Sequence, residues 1–433
     1  MIKKYNYLME KETVQKVLAQ KQIEEIKVYD SVMAIVETVR RKGDAGLRET
    51  TAEFDGITLA SFEVSLSEID QAYNEMSPDL INALERSKQN IEKYHRKQLR
   101  ESTIYKEDGE DIVLGQLIRP IEKVGLYVPG GLAPYPSSVL MNAMPAKIAG
   151  VDEVIMITPP NEDGNVSPVI LAAAKIAGVD RVFKVGGAQG VAALAYGTES
   201  VPKVDKIVGP GNIYVAMAKK IVSGTVGIDM VAGPSEIVVL ADEWANPEFV
   251  AADLLSQAEH DERAASILVT DSMTFAERVE GALAEQVEKL DKKEICLKAL
   301  QSQGKIIVVN DMKYGIDLVN QIAPEHLEIM TRDPFDCYKK VRNAGAIFLG
   351  EYTPEPVGDY YAGTNHVLPT CGTARFHSPL SVDDFIVKSS LVYYSKEALR
   401  KAKADIELIA SAEGLTAHRN AVSIRFEGGE SYV

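Results

Sequence analysis

Ala149-Gly150-Val151-Asp152-Glu153-Val154 returns one unit later as Ala177-Gly178-Val179-Asp180-Arg181-Val182. In each copy a glycine just past a helix C-terminus turns the chain, and a strand follows. Such spacing fits one βα unit, whether it arose by duplication or from αβ-loop chemistry alone. Working outward, short β-branched runs alternate with Ala-rich helical runs. Val124 to Val128, Val154 to Thr158, Arg181 to Val185 and Lys206 to Val208 read as buried strands. Met141 to Ile148, Pro168 to Ala177, Val191 to Tyr196 and Ile213 to Val222 read as helices. This alternation implies a parallel sheet with right-handed crossovers. A second alternating region has strands at Ile237 to Leu240, Ser266 to Thr270, Lys305 to Val309 and Ala346 to Leu349. Between them a helix starts with Asn246 as cap and Pro247 in its first turn, and runs to about His260.

The flanks differ in texture. Residues 1 to about 100 read as helical and polar, with helices near Asp30 to Lys42 and Pro78 to Arg96 and a short strand at Phe62 to Leu66. The tail from Ser381 ends in a helix over Lys396 to Ile409 and another after Gly414. The fold class expected is α/β: two incomplete Rossmann-like parallel-sheet domains with small helical N- and C-terminal segments.

Composition narrows the function classes. The 433 residues carry a net charge of −16, which disfavours nucleic acid and anionic membranes as partners. No apolar run approaches the ~18–20 residues of a membrane helix. No apolar core follows Lys3 and Lys4, so no secretory signal is read. Three widely spaced cysteines, Cys296, Cys337 and Cys371, do not make a disulfide framework, and a cytoplasmic location is the expectation.

Six histidines bound the imidazole chemistry. His95 sits in a charged helix and reads as solvated. In Leu254-Leu255-Ser256-Gln257-Ala258-Glu259-His260-Asp261, Gln257 and His260 are three apart and share a helix face. Both can ligate zinc, but a polar helix end with His260 near the C-terminal dipole is the plainer reading. Ala323-Pro324-Glu325-His326-Leu327-Glu328 offers an acid and an imidazole for proton transfer, or simply a helix start after Pro324. Val357 to Thr370, with Asp359 and His366, reads as a loop too long for a passive connection. Glu413 and His418 lie near the C-terminus, where a surface helix is the plain alternative. No HExxH or CxxC pattern occurs among these segments. Gly186-Gly187-Ala188-Gln189-Gly190 and Gly209-Pro210-Gly211-Asn212 each follow a strand and open a helix, a setting for phosphate, yet neither is GxGxxG.

Together the segments resemble the histidinol dehydrogenase family. The resemblance rests on Tyr127-Val128-Pro129-Gly130-Gly131, Gly186-Gly187-Ala188-Gln189, Gly209-Pro210-Gly211-Asn212 and Ala232-Gly233-Pro234-Ser235-Glu236. It continues through Ser256 to Asp261, Ala323 to Glu328, Asn365-His366-Val367-Leu368-Pro369-Thr370 and Glu413-Gly414-Leu415-Thr416-Ala417-His418. These occur in the family's order, from about Val124 to the C-terminus, without a departure at a position the family uses.

The resemblance implies one zinc ion per subunit held by Gln257, His260, Asp359 and His418, with His418 supplied by the partner of an obligate homodimer. It implies NAD contacts at Tyr127, Gln189 and Asn212. Substrate contacts would come from Ser235, Gln257, His260, Glu325, His326, Asp359, His366, Glu413 and His418, with Glu325 and His326 as the acid–base pair. The domains then read as an N-terminal helical arm (1–25) and a discontinuous catalytic, zinc-holding α/β domain (26–126 and 236–380). An NAD-binding Rossmann-like domain (127–235) and a C-terminal helical tail (381–433) that serves the partner's site complete the chain. The expected reaction is four-electron oxidation of L-histidinol through L-histidinaldehyde to L-histidine with two NAD, the last steps of histidine biosynthesis. The alternative is a related zinc- and NAD-linked dehydrogenase of another hydroxyl substrate, such as a sulfonated diol. A Cys371 nucleophile is a further possibility for the aldehyde step.

Overall fold

A computed structural model describes residues 2–19, 25–106, 111–130 and 134–427. Gly131 of the Tyr127 segment and residues 20–24 of the N-terminal arm fall outside them. The strands are, in chain order, β1 Lys3–Asn6, β2 Thr103–Lys106, β3 Ile112–Pro120, β4 Lys123–Tyr127, β5 Glu153–Thr158, β6 Arg181–Lys184 and β7 Lys206–Val208. They continue as β8 Gly227–Ile228, β9 Glu236–Ala241, β10 Ala265–Thr270, β11 Lys305–Val308, β12 His326–Met330, β13 Ala346–Leu349 and β14 Ile386–Tyr394.

The chain divides into two compact units. The first joins Met1–Leu99 with Ile121–Phe385. It holds a six-stranded sheet in the order β1-β11-β10-β9-β12-β13 and a five-stranded sheet in the order β6-β5-β4-β7-β8. Every pairing in both is parallel. All residues of β9, β10, β11 and β12 are buried, as expected for parallel strands covered on both faces. Gly150 and Gly178, the near-repeat glycines, cap their helices at φ 90° and 74°, and each turns the chain into a strand.

In the five-stranded sheet the chain steps from β4 outward through β5 to β6, then returns to the other side of β4 as β7 and β8. The order therefore reverses between β4 and β7. That reversal opens a crevice at the carboxyl ends of the strands, where ligands of open α/β sheets bind.

Three elements differ from the sequence reading. β1 pairs Lys3 to Asn6 with Lys305 to Val308 at the edge of the large sheet, where a polar helical start was expected. Phe62 to Leu66 is not a strand. Glu63 makes a single antiparallel bridge to Phe183, and Ser65 then caps the helix Leu66–Glu75 through a reciprocal capping box with Glu68. β12 lies between β9 and β13 where a helix start was read.

The second unit joins Arg100–Pro120 with Ile386–Val433. Its antiparallel sheet, β14-β3-β2, pairs Ile386 with Pro120 and Tyr394 with Ile112, and was not read from the sequence. The helices Lys396–Ala412 and Thr416–Ser423 follow, close to the expected positions. Between them these helices bury only Ala398 and Ala410. No helix among the described residues is long and apolar enough to cross a membrane.

Candidate active site

Glu325 and His326 stand at the head of β12, both buried. Pro324 leads into a strand rather than a helix, because the backbone from His326 pairs with β9 and β13. One residue of β9 holds both side chains. The Glu236 N–H donates to Glu325 Oε2 at 2.8 Å, and the Glu236 carbonyl lies 3.3 Å from His326 Nδ1. A carbonyl can only accept, so Nδ1 carries the proton and Nε2 keeps its lone pair. Nε2 has no hydrogen-bond partner among the described residues. Burial pushes the imidazole down to about 4, so the ring is neutral at ordinary pH.

Facing Nε2 are two carboxyls from one short helix, Glu355–Tyr360. Glu355 Oε1 and Asp359 Oδ1 each lie 3.8 Å from it. They share a helix face at i and i+4. Asp359 is thus on a helix, not in the loop that the sequence suggested. The segment after it is tied down: Ser87 Oγ donates to the Tyr360 carbonyl at 2.6 Å and Asn90 Nδ2 to that of Tyr361 at 2.8 Å. Among the described residues, His326, Glu355 and Asp359 bring three ligand-capable atoms within 4.8 Å of one another.

Glu355 escaped the sequence reading, although Pro354-Glu355-Pro356 is a helix-start signal that would place it four residues before Asp359. Burial, with the Asp359 charge adding to it, pushes the Glu355 carboxyl up to about 8. Behind it, Glu328 Oε1 accepts the Glu355 N–H at 2.8 Å, and burial raises Glu328 well above the carboxylate range. Asp253 beside it is raised by burial to about 6.

Gln257 and His260 come from the helix Pro247–Ala258 and the turn after it, so the helix ends two residues short of His260. Gln257 is fully buried, yet neither Oε1 nor Nε2 has a partner among the described residues. An amide left so costs about 1–3 kcal/mol, which a cation at Oε1 would offset in part. His260 keeps an open edge, and burial holds its imidazole below the usual range while Asp359 pulls the other way. A borderline metal suits this mixed N/O donor set, and the orphaned Gln257 amide fits one.

The nucleotide candidates gather at the carboxyl ends of β4, β6 and β7. Buried Tyr127 ends β4, and its hydroxyl accepts the Gly187 N–H at 3.2 Å. Burial raises that phenol to about 12, so it stays protonated. Gln189, also buried, lies in the first turn of the helix Gly187–Tyr196. Asn212 caps the helix Ile213–Val222, its Oδ1 accepting from Tyr214 and Val215 at 3.0 and 3.1 Å. Gly209, before it, has φ 112° and lies against the Tyr127 carbonyl so closely that a Cβ would overlap it. Backbone cradles of this kind at the β4/β7 reversal fit a dinucleotide without the usual glycine fingerprint.

The remaining candidates are placed as follows. Ser235 lies just before β9, half-buried, its carbonyl bonded to the Ala265 N–H at 3.0 Å. His366 Nε2 is 3.3 Å from Ser138 Oγ. Glu413 and His418 are exposed in the second unit. Cys371 is exposed at φ 55°, its Sγ against Gly233, and no hydrogen bond from it to an imidazole occurs among the described residues. His95, expected in solvent, is fully buried, with Nδ1 2.8 Å from Gln98 Oε1.

The profile of the histidinol dehydrogenase family matches residues 18–426. A histidinol dehydrogenase from Clostridium acetobutylicum is 56% identical over 405 residues, covering 93% of this chain and 94% of that one. One from Heliobacterium mobile is 54% identical over 412 residues, covering 95% and 96%. The crystal structure of histidinol dehydrogenase from Elizabethkingia anophelis superposes with a TM-score of 0.91 at 39% identity, covering 98% of each chain. Likeness of this extent, in sequence and in fold, has one meaning: the chain belongs to the histidinol dehydrogenase family of oxidoreductases.

Proposed function

We propose that the chain oxidises L-histidinol through L-histidinaldehyde to L-histidine, with two NAD as acceptors and one zinc ion per subunit, as the last steps of histidine biosynthesis. The observation that carries this is the neutral His326, its Nε2 bare and turned toward Asp359 at 3.8 Å. A base that is unprotonated at working pH and already oriented is what alcohol oxidation needs.

Zinc would be held by Gln257, His260 and Asp359 with His418 of the partner subunit. When bound, zinc supplies a template for the amine and imidazole nitrogens of the substrate, and NAD accepts the hydride. His326 Nε2 takes the hydroxyl proton in the first oxidation. Glu325, steadied by the Glu236 N–H, activates the water that adds to the aldehyde. His326 then takes the hydroxyl proton of the hydrate. In sum, one alcohol, one water and two NAD give one carboxylate, two NADH and three protons. Tyr127, Gln189 and Asn212 contact NAD. Ser235, His366 and Glu413 contact the substrate.

The homodimer is part of the proposal. The second unit has almost no core of its own, and it exposes Leu408, Ile409, Val392 and Tyr393 besides Glu413 and His418. That exposed apolar surface supports the reading, since a second copy would bury it. The proposed domain roles are NAD on residues 127–235 and zinc on residues 26–126 and 236–380.

The test is NADH formation, by absorbance, from limiting L-histidinol with and without a chelator. Two NADH per substrate, lost with chelator and restored by zinc, is the expected result. One NADH per substrate would remove the hydration role of Glu325. None from folded, zinc-loaded dimer would overturn the substrate and favour another hydroxyl compound such as a sulfonated diol.

A further inference from the structure

Asp55 follows directly on the helix Asp44–Phe54, at its C-terminal cap. A carboxylate is disfavoured there by the helix dipole. No ion pair compensates: among the described residues its one side-chain partner is Gln189, whose Nε2 donates to Asp55 Oδ2 at 3.0 Å. That single bond fixes the polarity of a buried amide. A carboxylate only accepts, so the nitrogen end of Gln189 must face Asp55 and the oxygen end must face away. Gln189 Oε1 accordingly lies over Gly187, so near that a Cβ on Gly187 would stand 2.5 Å from it. Gly187 sits at φ 60°, and its N–H is the one that bonds the Tyr127 hydroxyl. That hydroxyl has accepted one hydrogen bond and keeps its own proton to donate. An acceptor, Gln189 Oε1, and a donor, Tyr127 O–H, therefore converge on one glycine at the nucleotide end of the small sheet.

We infer that Asp55 is a positioning residue that locks the Gln189 amide, so that Gln189 Oε1 and Tyr127 O–H together read an amide-type edge of the cofactor, one N–H donor beside one acceptor. This rests on the NAD reading above. Two parts of the dinucleotide carry such an edge: the nicotinamide carboxamide and the amino face of adenine. A pyrophosphate does not, because it offers no donor to Oε1. The two sources are separable with analogues. Replacing the carboxamide –NH2 by –CH3, as in the 3-acetylpyridine dinucleotide, removes the donor at one end. Replacing adenine by hypoxanthine reverses the edge at the other.

The experiment is direct binding to the zinc-loaded dimer, read by NADH fluorescence and by displacement with NAD and the two oxidised analogues. The proteins are wild type, Asp55→Asn and Gln189→Met, each checked for zinc content and circular dichroism. Wild type should bind NAD about tenfold more tightly than one of the analogues, the value of one neutral hydrogen bond. In Asp55→Asn the Gln189 amide can turn over, and that preference should fall to near unity, as it should in Gln189→Met. Loss confined to the acetylpyridine compound assigns the carboxamide, and loss confined to the hypoxanthine compound assigns adenine. A preference that survives Asp55→Asn, or a wild type that ignores both changes, overturns the inference. A wild type that binds no NADH overturns instead the cofactor reading beneath it.

Discussion

Lys219 and Asp229 form a buried ion pair whose loss should be felt twice, in stability and at the nucleotide loop. Their side chains are 2% and 1% exposed. The pair brackets one residue of the loop: Lys219 Nζ donates to the Gly209 carbonyl at 2.9 Å, and Asp229 Oδ2 accepts the Gly209 N–H at 2.8 Å. Asp229 Oδ1 accepts the Met230 N–H at 2.6 Å as well. Lys219→Met keeps the volume but strands a buried carboxylate, a loss of about 3–5 kcal/mol when one partner of such a pair is removed. Asp229→Asn strands the ammonium in the same way. In Lys219→Met/Asp229→Asn neither charge remains, so the double variant should be less costly than the two singles summed, by about 1–3 kcal/mol. Urea unfolding of the four proteins, followed by circular dichroism, gives the comparison. NADH affinity should fall with the singles, since Gly209 leads to Asn212 three residues on. Single costs under about 1 kcal/mol, or strict additivity in the double, would refute a coupled clamp.

Three further outcomes are expected. Glu325→Gln should stop the water-dependent second oxidation while the first continues, visible as one NADH per L-histidinol in a single-turnover experiment; equal loss in both halves would remove its assigned role. Glu355→Gln should leave metal-free stability unchanged below about pH 4.5 and raise it above about pH 8. The sign follows from a folded-state carboxyl pushed up to about 8, whose protonated form stabilises the fold until pH rises through that value. The measurement is the thermal midpoint at pH 4.5 and pH 9, and a variant no more stable than wild type at pH 9 would count against the buried acid. Mixing inactive His326→Ala and His418→Ala proteins under subunit exchange should restore part of the activity, and none from proven hybrid dimers would sink the shared site.

Most strands of the two parallel sheets were legible because they are largely apolar runs, β1 and β12 being the exceptions. Val154 to Thr158 and Ile237 to Leu240 have no solvent face, so composition alone marks them. The antiparallel sheet was missed for a different reason. β3 and β14 pair residues 266 to 282 positions apart, and their residues are half-buried or exposed on both faces. Neither strict alternation nor a continuous apolar run was present for a periodicity to detect. β1 is shorter still, and only its pairing with β11 makes it a strand.

β12 shows why site and fold are hard to read from the same residues. Its sequence is His-Leu-Glu-Ile-Met, and His326 and Glu328 fall on one face because strand side chains alternate. That face is buried, yet it points at Glu355, Asp359 and Asp253 rather than at an apolar core. The strand therefore carries ionisable residues where a core strand would carry Val or Ile. The departure from the apolar pattern is a consequence of the chemistry placed there. The histidine itself could be picked from the sequence as one of six. Its partner Glu355 had only the helix-start signal of Pro354-Glu355-Pro356, and the Glu236 backbone that sets its tautomer had none. The carbonyl of Glu236 acts through a position in a pleated sheet and not through a side chain, so no residue type announces it.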